Sequence, residues 1–533
     1  MRAQAYRRYD VNTVELYDTT LRDGAQTWGV HFSVEDKLRI TKKLDELGID
    51  FIEGGYPGSN PKDRRFFEAT KGLSLKHAKI VAFGSTCRAD TSPEKDSQIK
   101  NLIEARTDAV TIVGKSWDLH VTDVLAVSLQ KNLAMISETI RFIRPYFKKV
   151  IFDAEHFFDG FKNDREYALA TLESAVKAGC DLVVLCDTNG GTLPLEICEI
   201  VKEVKEKTPA PLGIHAHNDS ETAVANTLCA VASGVTHVQG TINGIGERCG
   251  NANLISIIPA LALKMNCLQV DPRRLRLLKH VSEFVDEMAN RTPLKSQPYV
   301  GAAAFAHKGG LHSSAVVKNS AAYEHVDPEI VGNFRRFPMS EQGGRAALIQ
   351  KASEYGIHLD INDPRVAEIL RTMKDLEALG AHYEAAEGSF ELLMKRMLGL
   401  HKRFFTLHGF HVNNIKRQGD TKTFSDAVVR IFVGDKMEFS AAEGNGPVHA
   451  LDLAFRKALE SFYPSVSEVR LTDFKVRVLE GSSGTSATVR VLIESTDGED
   501  VWWTVGFNEN IIQASWDALV DSIDYKLQKD LAS

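Results

Sequence analysis

"TVELYDTTLRDGAQTWGVHFSVEDKLRITKKLDELGIDFIEGGY", residues 13–56, places a strand, a helix and a second strand in the order that decides the fold. TVELYD (13–18) is a β-type run, and SVEDKLRITKKLDELG (33–48) carries helical periodicity between a serine cap and a glycine stop. FIEGGY (51–56) opens the next strand, so the intervening segment has the length of a βα crossover. Six further runs follow at similar spacing: KIVAFGS (79–85), AVTIVG (109–114), KVIFDAE (149–155), DLVVLCDT (181–188), PLGIHAH (211–217) and HVQGTING (237–244). Eight βα units in about 250 residues predict a (β/α)8 TIM barrel rather than an open sheet.

Beyond the barrel the character changes twice. Residues 276–401 read as a mainly helical region, interrupted by AFAHKGGLHSSAVVKNSAAYEHVDPE (304–329) and SEQGGR (340–345). Polar loops of this kind inside a helical region usually carry function. Residues 402–533 alternate β-type runs (AVVRIFV, KMEFSAAE, FKVRVL, ATVRVLIES, VWWTVGF) with two helices, which suggests two βββα-like halves forming an internal repeat. The expected domains are therefore 1–275, 276–401 and 402–533. Glycine-rich EGSSGTSA (480–487) joins two strand patterns and has no lysine after it, so it reads as a hairpin turn rather than a phosphate cradle.

Composition narrows the partners. With 533 residues, 43% hydrophobic and 25% charged, the chain is long enough for several cores and is a folded protein. A net charge of −7, without a basic block, argues against nucleic acid or an anionic membrane surface and favours small molecules. The seven cysteines show no Cys-x-x-Cys spacing and read as reduced thiols. No apolar leader region and no 18-residue apolar stretch is present, so a cytoplasmic location is expected.

In a barrel the polar residues at strand C-terminal ends gather at one mouth, where such folds carry their chemistry. Asp18, Glu53, Ser85, Asp153, Glu155, Asp187, Thr188, His215, His217 and Asn243 all fall there. His215 and His217 of GIHAHND (213–219) are alternate residues, so both face one side, ~7 Å apart along the strand. Asp18, at the end of the first strand, can reach the same point because only the eighth strand separates the first from the seventh. Asn251 of GERCGNANL can add an amide oxygen. Such a set suits a divalent Mn²⁺, Mg²⁺, Zn²⁺ or Fe²⁺ ion, whereas a strand-end histidine on its own is more often a hydrogen-bonded residue than a ligand. Arg22 and Asp23 of DTTLRDGAQ (18–26) sit beside it, where a guanidinium can stabilise an oxygen that becomes anionic. Convergence of a cation, a Lewis-acid site and carboxylates points to carbonyl chemistry.

DTTLRDGAQ, HAHND, GTINGIGERCGNANL and the 307–345 loops together resemble the metal-dependent barrel acyltransferases that condense acetyl-CoA with a 2-oxo acid, the 2-isopropylmalate, homocitrate and citramalate synthase family. FDAEHFFDGFKND, CDTNGG, GGLHSSAV and YEHVDPEIVGNFRRFPMSEQGGR are most similar to its citramalate-forming branch, which implies pyruvate as the 2-oxo acid. The resemblance spans essentially the whole chain. It implies Asp18, His215, His217 and Asn251 as ligands of a divalent metal, Mn²⁺ or Mg²⁺ before Zn²⁺. Arg22, Asp23, Glu53 and Thr188 become the expected substrate contacts, with Arg22 polarising the ketone. His312 of GGLHSS is implied as the base, Tyr323 and a water as its helpers, and Glu155 as an assistant. Where some relatives carry an aspartate two residues after that histidine, this chain has Ser314. His307 reads instead as a residue that orders its own loop. The last region is implied to be a homodimeric regulatory domain binding isoleucine as feedback inhibitor between protomers. A close rival is the same condensation on a bulkier acid, 2-oxoisovalerate or 2-oxoglutarate, as in the 2-isopropylmalate and homocitrate enzymes; two further classes stand beside it, an iron-dependent oxygenase using the two histidines and Asp18, and an amino-acid sensor with a relic barrel.

Overall fold

The structure, a computed structural model, describes residues 13–339, 343–416, 423–479 and 486–532. Part of the SEQGGR loop and most of the EGSSGTSA turn lie outside the described residues.

Eight parallel strands close into a barrel in chain order: β1 (Glu15–Asp18), β2 (Phe51–Gly55), β3 (Lys79–Ser85), β4 (Ala109–Lys115), β5 (Lys149–Glu155), β6 (Leu182–Asp187), β7 (Leu212–Ala216) and β8 (His237–Gly240). Closure is through β8 and β1, with Asp18 opposite Gly240. The crossover after β1 behaves as its sequence predicts. Helix Val34–Leu47 starts at a Ser33–Asp36 capping box and stops at Gly48, whose φ of +96° suits a residue without a Cβ.

Strand alternation divides the side chains between two cores. Tyr17, Phe51, Val81, Ala109, Ile151, Leu182, Val184 and Cys186 fill the barrel interior, while Leu16, Ile52, Phe152 and Leu185 face the surrounding helices. The interior is thus a packed plug, and the mouth above it is the place left for polar residues. All seven cysteines are free.

The chain packs as two compact units, one running to Phe305 and taking in Val326–Phe334, the other comprising Ala306–His325 and Arg335 onward. In the first, helix Leu278–Met288 packs on Val34–Leu47.

The second unit holds helices Gly310–Lys318, Arg345–Glu354, Pro364–Leu379 and Glu387–Leu398 around Val316, Leu348, Ile369 and Phe390. Its C-terminal part is a βββα unit made twice. β9 (Thr406–Ile415), β10 (Phe424–Val433) and β11 (Lys436–Gly444) precede helix Pro447–Leu459; β12 (Arg470–Val478), β13 (Val489–Thr496) and β14 (Val501–Asn508) precede helix Ile511–Ala532. Each trio is an antiparallel sheet with β10 or β13 in the centre. β12 and β13 pair antiparallel up to Val478 against Val489.

Trp516 joins the two halves. It comes from the last helix yet packs on Phe410 of β9 and Phe455 of the first helix, at centroid distances of 5.1 and 4.7 Å. Trp516→Ala is expected to cost about 3–5 kcal/mol, the range for deleting a buried large aromatic. A lowered denaturant midpoint for this unit, with the unfolding of the barrel unit unchanged, is the check.

Candidate metal centre and active site

Above the interior plug the barrel opens into a cleft of about 860 Å³, lined among others by Arg22, Asp23, Asp153, Glu155, Thr188, His215 and His217. The two histidines meet at its floor. His215 is the fourth residue of β7, and His217, just past the strand, is held by a backbone bridge to Asn251. Asn218 N–H donates to the Gly250 carbonyl (2.9 Å) and Ala252 N–H to that of Ala216 (2.9 Å), so the loop after β8 is tied alongside the end of β7. Glycines make this approach possible: Gly250 has φ +94°, and a Cβ on Gly246 would overlap Asn251 Oδ1.

The carboxylate that faces the pair is Asp23, not Asp18. Asp23 Oδ2 lies 3.3 Å from His215 Nε2 and 3.9 Å from His217 Nε2, and those two nitrogens are 3.3 Å apart. Asp23, His215 and His217 form a buried group whose ligand atoms all lie within 4.8 Å of one another. Asp18, expected as the ligand, points elsewhere because its neighbour Tyr17 takes the inward register of β1. Its carboxylate accepts from Thr20 N–H (2.9 Å) and Thr20 Oγ1 (2.8 Å). The turn after β1 supplies Asp23 instead, its N–H donating to the Thr19 carbonyl at 2.9 Å and folding the chain back over the mouth.

These residues fit a metal ion by their own bonding. Asp23 Oδ1, Asn251 Oδ1 and His217 Nδ1 are buried without a hydrogen-bond partner, an expensive arrangement in a purely structural network. Asn251 Nδ2 lies 3.1 Å from His215 Nε2 and 3.2 Å from Asp23 Oδ2; turning the amide over puts its oxygen there. Two imidazoles, a carboxylate and an amide oxygen make a donor set for a borderline or hard divalent ion.

Electrostatics follow from the crowding. Burial raises the Asp23 carboxyl, but Arg22 and then His215 outweigh it and hold the group well below the usual carboxylate range. Burial would lower His215, yet its bond to Asp23 keeps it above the ordinary histidine value. Burial, and then the charge on His215, push His217 down to about 3. Burial likewise carries Asp18 up to about 7 against its bonds from Thr20, and Asp153 up to about 7 against the pull of His215.

Arg22 lies over the Phe83 ring, its guanidinium carbon 3.9 Å from the centroid, with Nε donating to Glu53 at 2.5 Å and Nη1 3.3 Å from Asp23. Glu53, expected to touch substrate, is fully buried and does not line the cleft. Tyr17, Thr19 and Arg22 occupy its oxygens, so it is the counter-ion that places Arg22. Thr188 lines the cleft, while its Oγ1 accepts from His156 N–H at 2.9 Å. Glu155 lines it too, ion-paired to Lys115 at the adjacent strand end.

His312 and Tyr323 lie in the second unit, where their rings meet tilted by 31° with centroids 4.2 Å apart; both are exposed. His307 there bonds Glu324 (3.1 Å), and its carbonyl accepts from Ser313 (2.7 Å), which ties the loop together. Lys115 and Gln239 escaped the sequence reading. Gln239 was findable, since it shares the inward register of β8 with His237.

Residues 13–283 match the HMGL-like family, 299–380 the homocitrate synthase post-HMGL domain-like family, and 384–527 the LeuA allosteric (dimerisation) domain. The chain is 54% identical over 519 residues to an (R)-citramalate synthase of Geobacter sulfurreducens, covering 97% of this chain and 98% of that one. An (R)-citramalate synthase of Aquifex aeolicus is 55% identical over 518 residues, again covering 97% and 98%. A third, from Synechocystis, is 50% identical over 525 residues and covers 96% of each chain. With a barrel of the HMGL-like family and near-complete alignment to these enzymes at such identity, the chain belongs to the (R)-citramalate synthase family.

Proposed function

We propose that the protein condenses acetyl-CoA with pyruvate to give (R)-citramalate and CoA. The observation that carries this reading is the cluster of Asp23, His215, His217 and Asn251, with unpartnered buried oxygens, beside a guanidinium at the mouth of a barrel whose full-length relatives are named for that product. A divalent ion held there, Mn²⁺ or Mg²⁺ before Zn²⁺, supplies Lewis acidity and a template for the 2-oxo acid. Arg22, braced by Glu53 and stacked on Phe83, donates to the ketone oxygen as it gains charge. Asp23 belongs with the metal ligands, and Thr188 is kept as a substrate contact. His312, aided by Tyr323, takes a proton from the thioester methyl group, with Glu155 assisting; the resulting carbanion bonds to the ketone carbon, whose oxygen takes up a proton to become the hydroxyl, and water cleaves the thioester to leave the carboxylate and free CoA.

For the chain's organisation we propose a catalytic barrel over 1–275, a helical region over 276–401 that carries the base, and a regulatory domain over 402–533. That domain would pair two chains as a homodimer and bind isoleucine, a reading supported by the LeuA dimerisation match and the repeated βββα halves. Among the described residues no helix is long and apolar enough to cross a membrane.

The test is the initial rate of CoA thiol release with pyruvate, 2-oxobutanoate, 2-oxoisovalerate and 2-oxoglutarate, each with and without isoleucine. Pyruvate is expected to be the best acceptor and isoleucine to slow it; a preference for a larger acid would keep the chemistry and change the product.

The site also predicts a proton count. In the metal-free protein His215 keeps its second proton above the usual histidine range, so an ion arriving at Nε2 must displace it. Below that pKa each ion bound should release about one proton, and affinity should fall about tenfold per pH unit as pH drops. His217, held at about 3, contributes no further proton near neutrality. Calorimetric titration of Mn²⁺ in buffers of different ionisation enthalpy counts the proton directly.

A further inference from the structure

We infer that Gln239 is a positioning residue of this centre, the group that selects which nitrogen of His215 faces the ion. The inference rests on the metal-centre reading above. Gln239 is fully buried in β8, and its Oε1 lies 2.8 Å from His215 Nδ1. On its other side Nε2 donates to Asp153 Oδ1 of β5 at 3.1 Å. Both ends of the amide are therefore engaged, so it cannot turn over without facing an N–H toward His215 and an oxygen toward the Asp153 carboxyl group.

The consequence for His215 is specific. An amide oxygen accepts and cannot donate, so Nδ1 must carry a hydrogen, and a neutral imidazole then has its lone pair on Nε2. Nε2 is the atom that lies 3.3 Å from both Asp23 Oδ2 and His217 Nε2. His217 has no such partner, its Nδ1 being buried and unbonded. The two histidines are thus unequal: His215 is oriented by the side chain of its register partner on the neighbouring strand β8, and His217 by the backbone bridge to Asn251. Through Gln239 the same contact reaches Asp153, a cleft residue, so the ligand and one wall of the substrate cleft share a single amide.

Outer partners of metal-bound histidine typically change metal affinity 10–100-fold when removed. The experiment is Co²⁺ titration of the chelator-stripped full-length protein, followed by the ligand-field absorption of the bound ion and by competition with a chromophoric chelator. Gln239→Met, of similar length but offering only a weak thioether acceptor, should weaken Co²⁺ binding 10–100-fold and alter the absorption envelope. Gln239→Glu retains an acceptor for Nδ1–H and should restore affinity to within about threefold of wild type, a rescue that a packing role would not produce. Gln239→Leu serves as the second removal variant if the methionine protein does not fold. Removal variants that bind Co²⁺ as wild type does would overturn the role of Gln239. Wild type that takes up no Co²⁺ would overturn the metal-centre reading itself, and this role with it.

Discussion

Asp23→Asn is expected to leave the protein folded but unable to retain its divalent ion, with CoA release from acetyl-CoA and pyruvate reduced at least about 10³-fold. Asp23 is the one carboxylate of the cluster, and its Oδ1 has no other partner, so the amide removes a charge that the two imidazoles cannot replace. The sharp comparison is Asp18→Asn. That side chain is occupied by Thr20, so this variant should keep its metal and most of its rate, with a loss of stability confined to low pH. It should also change the pH profile of folding. Burial lifts Asp18 to about 7, so its ionised form is disfavoured in the fold. Its stabilising contribution is complete below the unfolded value near ~4 and is lost as pH rises toward about 7; the asparagine variant should lack that slope. Metal content by mass spectrometry and thermal unfolding across pH measure both effects.

The second large effect is at Arg22. Arg22→Gln should retain the metal but lower kcat by about 10²–10³-fold, the usual loss when one donor to a developing oxyanion is removed. It also strands Glu53, a fully buried carboxylate, which should cost about 3–5 kcal/mol. Arg22→Gln combined with Glu53→Gln removes the stranded charge, so stability should return and the rate should not. A rate restored with stability would mean that Arg22 serves only the fold.

The contrast between Asp18 and Asp23 shows what sequence patterns carry and where they stop. The barrel was legible because each strand is a compact apolar run with turn signals at both ends, and all eight predicted runs became its eight strands. His215 and His217 were legible because period-two alternation survives to the strand end. Asp18 was misjudged by the same rule left half applied: an inward Tyr17 excludes an inward Asp18. Asp23 depends on the 19–24 turn, whose direction no periodicity encodes. Glu53 sits at the right strand end but lies under Arg22, which only the packed neighbours reveal. In the C-terminal unit β9 went unnoticed because in TLHGFHVNNI only Phe410 and Val412 turn toward the core, too few apolar positions to set a strand pattern.

The measurement closest to the central claim is product analysis with [2-¹³C]acetyl-CoA and unlabelled pyruvate in the metal-loaded wild-type protein. A thioester methyl carbon joined to the pyruvate ketone predicts one labelled citramalate for each CoA thiol released, and neither product from Asp23→Asn. Thiol release that yields labelled acetate and no new carbon–carbon bond would contradict the account.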